Sequence, residues 1–133
     1  MKYLFSLSLF LLVISCKEKP LDVETAKKVA ETLISKADKG DWENIADLYT
    51  AEFNASETPD VKTQKLMRLN EALGKVKSVE FLSSTDVAEF GRPREMVLKY
   101  RVIHERVTSI EIFTIQEDEG GYKVSAHSVE SEK

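Results

Sequence analysis

From Leu21 onward the apolar positions recur at helical spacing, and after Gly74 they switch to alternation. Ala26, Val29, Ala30, Leu33 and Ala37 fall at steps of three and four. That period predicts an amphipathic helix with Lys27, Lys28, Glu31, Lys36 and Asp38 outward. Asp22 is placed to cap it, Glu24 lies where the helix dipole favours an acid, and Gly40 suits a left-handed end. Ala26 and Ala30 keep the stripe thin, so another element can approach closely. Asp41 predicts the cap of a second, shorter helix that turns Trp42, Ile45, Ala46, Leu48 and Tyr49 inward. Residues 50–56 read as a loop with Phe53 as its apolar plug. Thr58 as cap and Pro59 at the first helical position then start a third helix. Its expected buried side is Val61, Leu66, Leu69, Ala72 and Leu73, and Gly74 ends it.

The second half is strand-like. Residues 76–85 are β-rich, with Val79 and Phe81 on one face and Leu82 on the other. Phe90-Gly91-Arg92-Pro93 marks a turn or loop. Met96, Leu98, Tyr100 and Val102 alternate with Val97, Lys99, Arg101 and Ile103, the clearest half-buried strand in the chain. Glu105-Arg106 is the next turn, after which Ile110 and Ile112 alternate with Glu111 and Phe113. Residues 117–121 form an acidic hairpin tip, and Tyr122, Val124 and Ala126 then oppose Lys123, Ser125 and His127. Helices first and an antiparallel meander after predict an α+β fold, with one sheet face on the helices and the other in water.

The first fifteen residues follow a different pattern. Lys2 is followed by Leu4, Phe5, Leu7, Leu9, Phe10, Leu11, Leu12, Val13 and Ile14, broken only by Ser6 and Ser8. A positive start and an apolar run of about a dozen residues make an export signal, too short to cross a hydrocarbon core. Removing it leaves 118 of the 133 residues, room for one domain, and takes the formal charge from −4 to −5. A mildly acidic domain argues against nucleic acid as a partner. Cys16 is the only cysteine, so no disulfide is available, and two distant histidines without a second thiol make a structural zinc site improbable. No cofactor is implied.

Val13-Ile14-Ser15-Cys16 resembles the lipobox of bacterial lipoproteins. That resemblance implies a signal peptide over residues 1–15 and a diacylglyceryl group on the Cys16 sulfur, usually with a third acyl chain on the new N-terminus. Residues 16–20 become a lipidated tether, extended because Pro20 biases Lys19 away from helix. Two or three acyl chains (palmitate-type) hold a protein to a membrane without spanning it. Lys17 stands where an aspartate retains a lipoprotein in the inner membrane, so the resemblance favours the outer membrane. The implied location is the bacterial cell envelope, periplasm-facing or surface-exposed.

The remaining motifs are Gly40-Asp41-Trp42-Glu43, Leu48-Tyr49 with Phe53, Leu73-Gly74-Lys75-Val76, and Gly120-Gly121-Tyr122-Lys123-Val124. Together they resemble the small exported domains of the nuclear-transport-factor-2-like, or cystatin-like, superfamily. The likeness covers residues 21–129, leaving 130–133 as a polar tail. It implies N-terminal helices packed in a curved four-stranded antiparallel sheet, a cone whose open end often forms a pocket. Isomerases and dehydratases on that fold use a base and a tyrosine or protonated acid in the cone, but no residue here matches those motifs, so no catalytic role is carried over.

Candidate chemistry is therefore weighed residue by residue. Trp42, Tyr49, Tyr100 and His104 are the possible lining of a pocket, and their spacing is equally that of core aromatics. His104 lies on the Met96 face and can pair on paper with Asp47 or Glu111, whereas His127 falls on the outward face. Lys99 and Arg101, with Arg92, Arg94 and Arg106 nearby, read as a solvated sheet face balanced by Glu80 and Glu111. The acidic run at 117–119 lacks the oxygen spacing of a calcium loop, and Asn54-Ala55-Ser56 is a glycosylation acceptor only in a eukaryotic secretory route. The chain thus reads as a lipid-anchored, non-catalytic domain that binds a small molecule or an envelope protein. The competing expectations are a small isomerase or dehydratase working in the cone, and a structural accessory subunit of an envelope complex.

Overall fold

The computed structural model describes residues 19–133, so the leader, the lipobox and Cys16 lie outside the described residues. Within them, helices α1 (Val23–Lys39), α2 (Ala51–Ser56) and α3 (Pro59–Leu73) precede strands β1 (Val76–Val87), β2 (Glu95–His104), β3 (Thr108–Asp118) and β4 (Gly121–Ser131). The strands form one antiparallel sheet in the order β1-β2-β3-β4, with the helices on one face. This is the expected α+β arrangement. No helix among the described residues is long and apolar enough to cross a membrane.

α1 begins and ends where the sequence predicts. The Asp22 carboxylate accepts the Thr25 N–H at 2.8 Å, and Gly40 takes φ 68° in the left-handed region. Ala26, Ala30, Leu33 and Ile34 are buried, so the small side chains let the helix lie close on β2 and β4. The segment after α1 departs from expectation. Asp41 caps nothing and pairs with Lys36 at 3.2 Å, and only one 3₁₀ turn forms, Ile45–Leu48. The chain is drawn out of helix there because Tyr49 bridges Val124 in parallel and the Thr50 N–H donates to the Val124 carbonyl at 3.0 Å. The expected loop at 50–56 is helix α2. The Thr50 hydroxyl accepts the Phe53 N–H at 3.1 Å, and Asp118 from the β3–β4 hairpin accepts the Ala51 N–H at 2.7 Å.

α3 has the expected Thr58 cap and N-terminal Pro59, but a different inward face. Val61 and Ala72 point to solvent, and the inward stripe is Lys62, Leu66, Leu69 and Leu73. A lysine therefore heads an otherwise leucine stripe. Gly74 ends the helix at φ 81°, where a Cβ would come within 2.9 Å of Glu105 Cβ, so only glycine fits the return into β1.

Register decides what the sheet presents inward. Met96, Leu98, Tyr100 and Val102 of β2 are buried as predicted. Tyr100 is paired with Glu111, Leu98 with Phe113 and Met96 with Ile115, so the inward set of β3 includes Glu111. Ile110 and Ile112 lie on the opposite side, with Arg101 and Lys99. In β4 a bulge leaves Ser125 without a partner between the pairs Ile115–Val124 and Thr114–Ala126. One extra residue inverts the alternation beyond it. His127 consequently faces inward opposite Phe113, which corrects the outward position expected from strict alternation. β4 also continues through Ser131, so half of the expected polar tail at 130–133 belongs to the sheet.

The outer face is ionic, as expected, but with a different acid. Arg101 reaches Glu80 at 2.8 Å and Glu132 at 2.9 Å, whereas Glu111 is inside. Arg94 pairs with Asp86 and Arg92 with Glu89 at 3.3 Å, and the Arg106 guanidinium donates to the Glu71 carbonyl. Val79 and Phe81 of β1, opposite Val102 and Tyr100, stay half open at the sheet edge, where the Lys27 ammonium stands 4.7 Å above the Phe81 ring.

Candidate functional site

A cleft of about 510 Å³ opens between α2, α3 and β4. Its apolar lining is Tyr49, Phe53, Leu66, Leu69 and Val129, and its polar lining includes Glu57, Lys62, Lys65 and His127. Each wall follows from local structure. Thr50 starts α2 and so stacks Phe53 on Tyr49, ring centroids 4.5 Å apart and nearly parallel at 9°. The stripe of α3 supplies Lys62, Leu66 and Leu69, and the Ser125 bulge turns His127 into the cleft.

Lys62 is 7% exposed, an unusual degree of burial for an ammonium. Its Nζ donates to Asn54 Oδ1 at 2.9 Å and lies 4.8 Å from the Phe53 centroid and 5.6 Å from that of Tyr49. Among the described residues no carboxylate comes within ion-pair distance of it. Burial holds its pKa below the usual lysine value, opposed by the charge of Glu57, which is itself paired with Lys65. Asn54 is fixed in turn: its amide donates to the carbonyls of Ala46 at 2.9 Å and Tyr49 at 3.5 Å, a structural use of the expected glycosylation acceptor.

Beneath the cleft runs a buried polar row. His104 Nδ1 is 3.2 Å from the Gly74 carbonyl, which only accepts, so that nitrogen carries the proton. The Ser109 hydroxyl lies 3.1 Å from His104 Nε2 and 3.5 Å from Glu111 Oε1. His127 Nε2 meets Glu111 Oε2 at 3.0 Å, and its ring stacks on Phe113 at 4.2 Å. Glu111 is 5% exposed and thus carries a histidine on each side, His104 at 3.7 Å and His127 closer. Burial, with the Glu111 charge second, pushes the Tyr49 hydroxyl up to about 12. The row leaves no buried side-chain polar atom without a partner among the described residues.

The four aromatic and histidine positions singled out from the sequence separate. Tyr49 is a wall of the cleft. His104 is buried rather than solvated and lines a narrow cavity of about 20 Å³ with Glu111 and His127, so of its two paper partners the fold supplies Glu111, not Asp47. Tyr100 is core: it packs edge-to-face on Phe81 and Phe113 at 5.5 and 5.9 Å, and its hydroxyl donates to Glu31 at 3.3 Å. Burial, then Glu31, raises its pKa. Trp42 packs half-buried against the core outside the cleft. Sequence reasoning missed Lys62, placed His127 on the wrong face, and named Glu111 as a partner for His104 but not for His127. Lys62 had a signal, its spacing of four and seven from Leu66 and Leu69; the bulge that turns His127 had none. Among the described residues no group of three or more histidines and acids is arranged to hold a metal ion. No protein-family model matches the chain, and a search of curated proteins finds none with significant similarity.

Proposed function

We propose that the chain is a lipid-anchored protein of the bacterial cell envelope whose single domain holds a small ligand non-catalytically. The lipobox-like stretch ending at Cys16 supports the anchor, and the order of helices and strands is in keeping with a nuclear-transport-factor-2-like domain. The observation that carries the binding reading is the half-open cleft of about 510 Å³, of ligand size, with apolar walls from Tyr49, Phe53, Leu66, Leu69 and Val129 facing a polar set that includes Lys62 and His127. Two experiments test it. A palmitate analogue fed to cells should label the wild type and not Cys16→Ser; an unlabelled wild type ends the anchor. Protein purified from envelopes should release a small molecule on denaturation. Leu69→Trp, which fills the cleft, should cut that yield at least fivefold, and equal yields end the binding reading.

One observation favours a second reading, a proton-transfer enzyme. The imidazole of His127 lines the cleft while Glu111 holds its Nε2 at 3.0 Å, a paired acid and base beside a buried tyrosine. The released ligand discriminates the two. Incubated with the protein in deuterium oxide it stays unexchanged if the cleft only binds. Deuterium incorporation that disappears in His127→Gln supports the enzyme.

A further inference from the structure

The head of the α3 stripe is the least explained position in the fold. Leu66, Leu69 and Leu73 continue it with apolar side chains, and an apolar residue at 62 would join them at no desolvation cost. The chain instead places a lysine there, 7% exposed as a whole residue, and among the described residues no carboxylate lies within ion-pair distance of its ammonium. Burying an unpaired cation is among the more costly arrangements in a protein. One of the three ammonium protons is taken by Asn54, and the Phe53 and Tyr49 rings cover a face of the head group. The donors that remain have the cleft before them, since Lys62 is part of its lining.

We propose that this cleft takes a monocarboxylate with an apolar body, its carboxylate accepting from the Lys62 ammonium while the body lies along Leu66, Leu69 and Val129. The proposal rests on the reading of the cleft as a ligand site and names its ligand class. The surrounding groups narrow that class. Glu57 is engaged by Lys65 at the rim, and Glu111 is engaged by His127, so neither carboxylate is available to a cationic ligand. Both Asn54 amide protons go to backbone carbonyls and Lys65 is held by Glu57, so Lys62 is the cationic donor left facing an anion, which suits a single negative charge better than a phosphate dianion. A neutral ligand of the same shape would exclude water from Lys62 and offer it at most a neutral acceptor, about half as strong as a carboxylate. A single negative charge on an apolar frame meets every wall.

The test uses the full chain in lipid nanodiscs, with empty nanodiscs correcting for partition into lipid. Equilibrium dialysis compares naphthoate, naphthylmethanol and naphthylmethylammonium, which share a frame and differ in charge. Naphthoate should bind at least tenfold more tightly than the alcohol, and the ammonium more weakly than either. Lys62→Met should erase the difference between carboxylate and alcohol, Lys62→Arg should restore part of it, and Lys99→Met, on the outer sheet face away from the cleft, should preserve it. Equal or tighter binding of the alcohol or the ammonium by the wild type overturns the ligand class and leaves the cleft as a site. That comparison needs no variant to fold. A tenfold preference that persists in Lys62→Met likewise overturns the role of the lysine. Failure of all three probes to bind overturns both the ligand class and the cleft as a binding site.

Discussion

Glu111 and Tyr49 translate burial into measurable consequences. Truncation in Glu111→Ala strands the Nε2 proton of His127, whose side chain is 11% exposed, and an unsatisfied group so far out of water costs about 1–3 kcal/mol. Glu111→Gln keeps the shape and one acceptor, so it should lose less; urea unfolding midpoints of the two variants order them. Tyr49 gives a pH dependence. Its folded-state pKa, about 12, stands above the ordinary tyrosine value of 10.0. A raised folded pKa means the contribution is complete below pH 10 and is lost as pH climbs through 12, a difference of roughly 3 kcal/mol at most. Tyr49→Phe should therefore unfold at higher pH than the wild type when ellipticity is followed from pH 9 to 12. Its hydroxyl was legible as a polar end on a core ring, but the acid that helps raise its pKa was not. Glu111 read as a partner for Arg101 because alternation along β3 does not say which face is the core.

At the level of elements, the local signals that worked were those with a local cause. Asp22, Gly40, Thr58, Pro59 and Gly74 act on backbone groups within a turn of themselves, so α1 and the ends of α3 could be read directly. Where a distant strand intervened, reading failed. Asp41 lost its helix because Tyr49 is held by Val124, and residues 50–56 gained one because Asp118 reaches back to Ala51. The Ser125 bulge is the largest such effect, since it moves His127 from water into the cleft wall. Deleting Ser125 should restore two-residue alternation, turn His127 outward and break both its ring stack and its bond to Glu111. The expected outcome is a loss of about 3 kcal/mol or more. Diethyl pyrocarbonate should then modify His127 rapidly in the deletion and slowly in the wild type; equal rates would mean the bulge does not control the face.

For the whole molecule, the point where the tether meets the domain sets how a lipid-anchored chain would stand on a membrane. Lys19 and Leu21 share a depression with Pro93, Arg94 and Glu117, and the Asp22 N–H donates to the Tyr122 hydroxyl at 2.8 Å. The tether thus joins the end of the sheet that carries the β1–β2 loop and the β3–β4 hairpin. Cys16 is three residue steps from Lys19, so an acylated sulfur can stand only about 11 Å from that end. Phe90, at the tip of the β1–β2 loop, is fully exposed, while the cleft lies among α2, α3 and the later part of β4. If Cys16 is acylated, a short tether would hold Phe90 at the headgroups and leave the cleft open to the aqueous side. Phe90→Trp, read in the lipidated chain on vesicles with brominated acyl chains, should be quenched strongly. A tryptophan at Val61, exposed on α3, should be quenched at least threefold less, with the intrinsic signal of Trp42 subtracted from both. Equal quenching at the two positions would mean that the domain tumbles freely on its anchor and that the tether sets distance but not orientation.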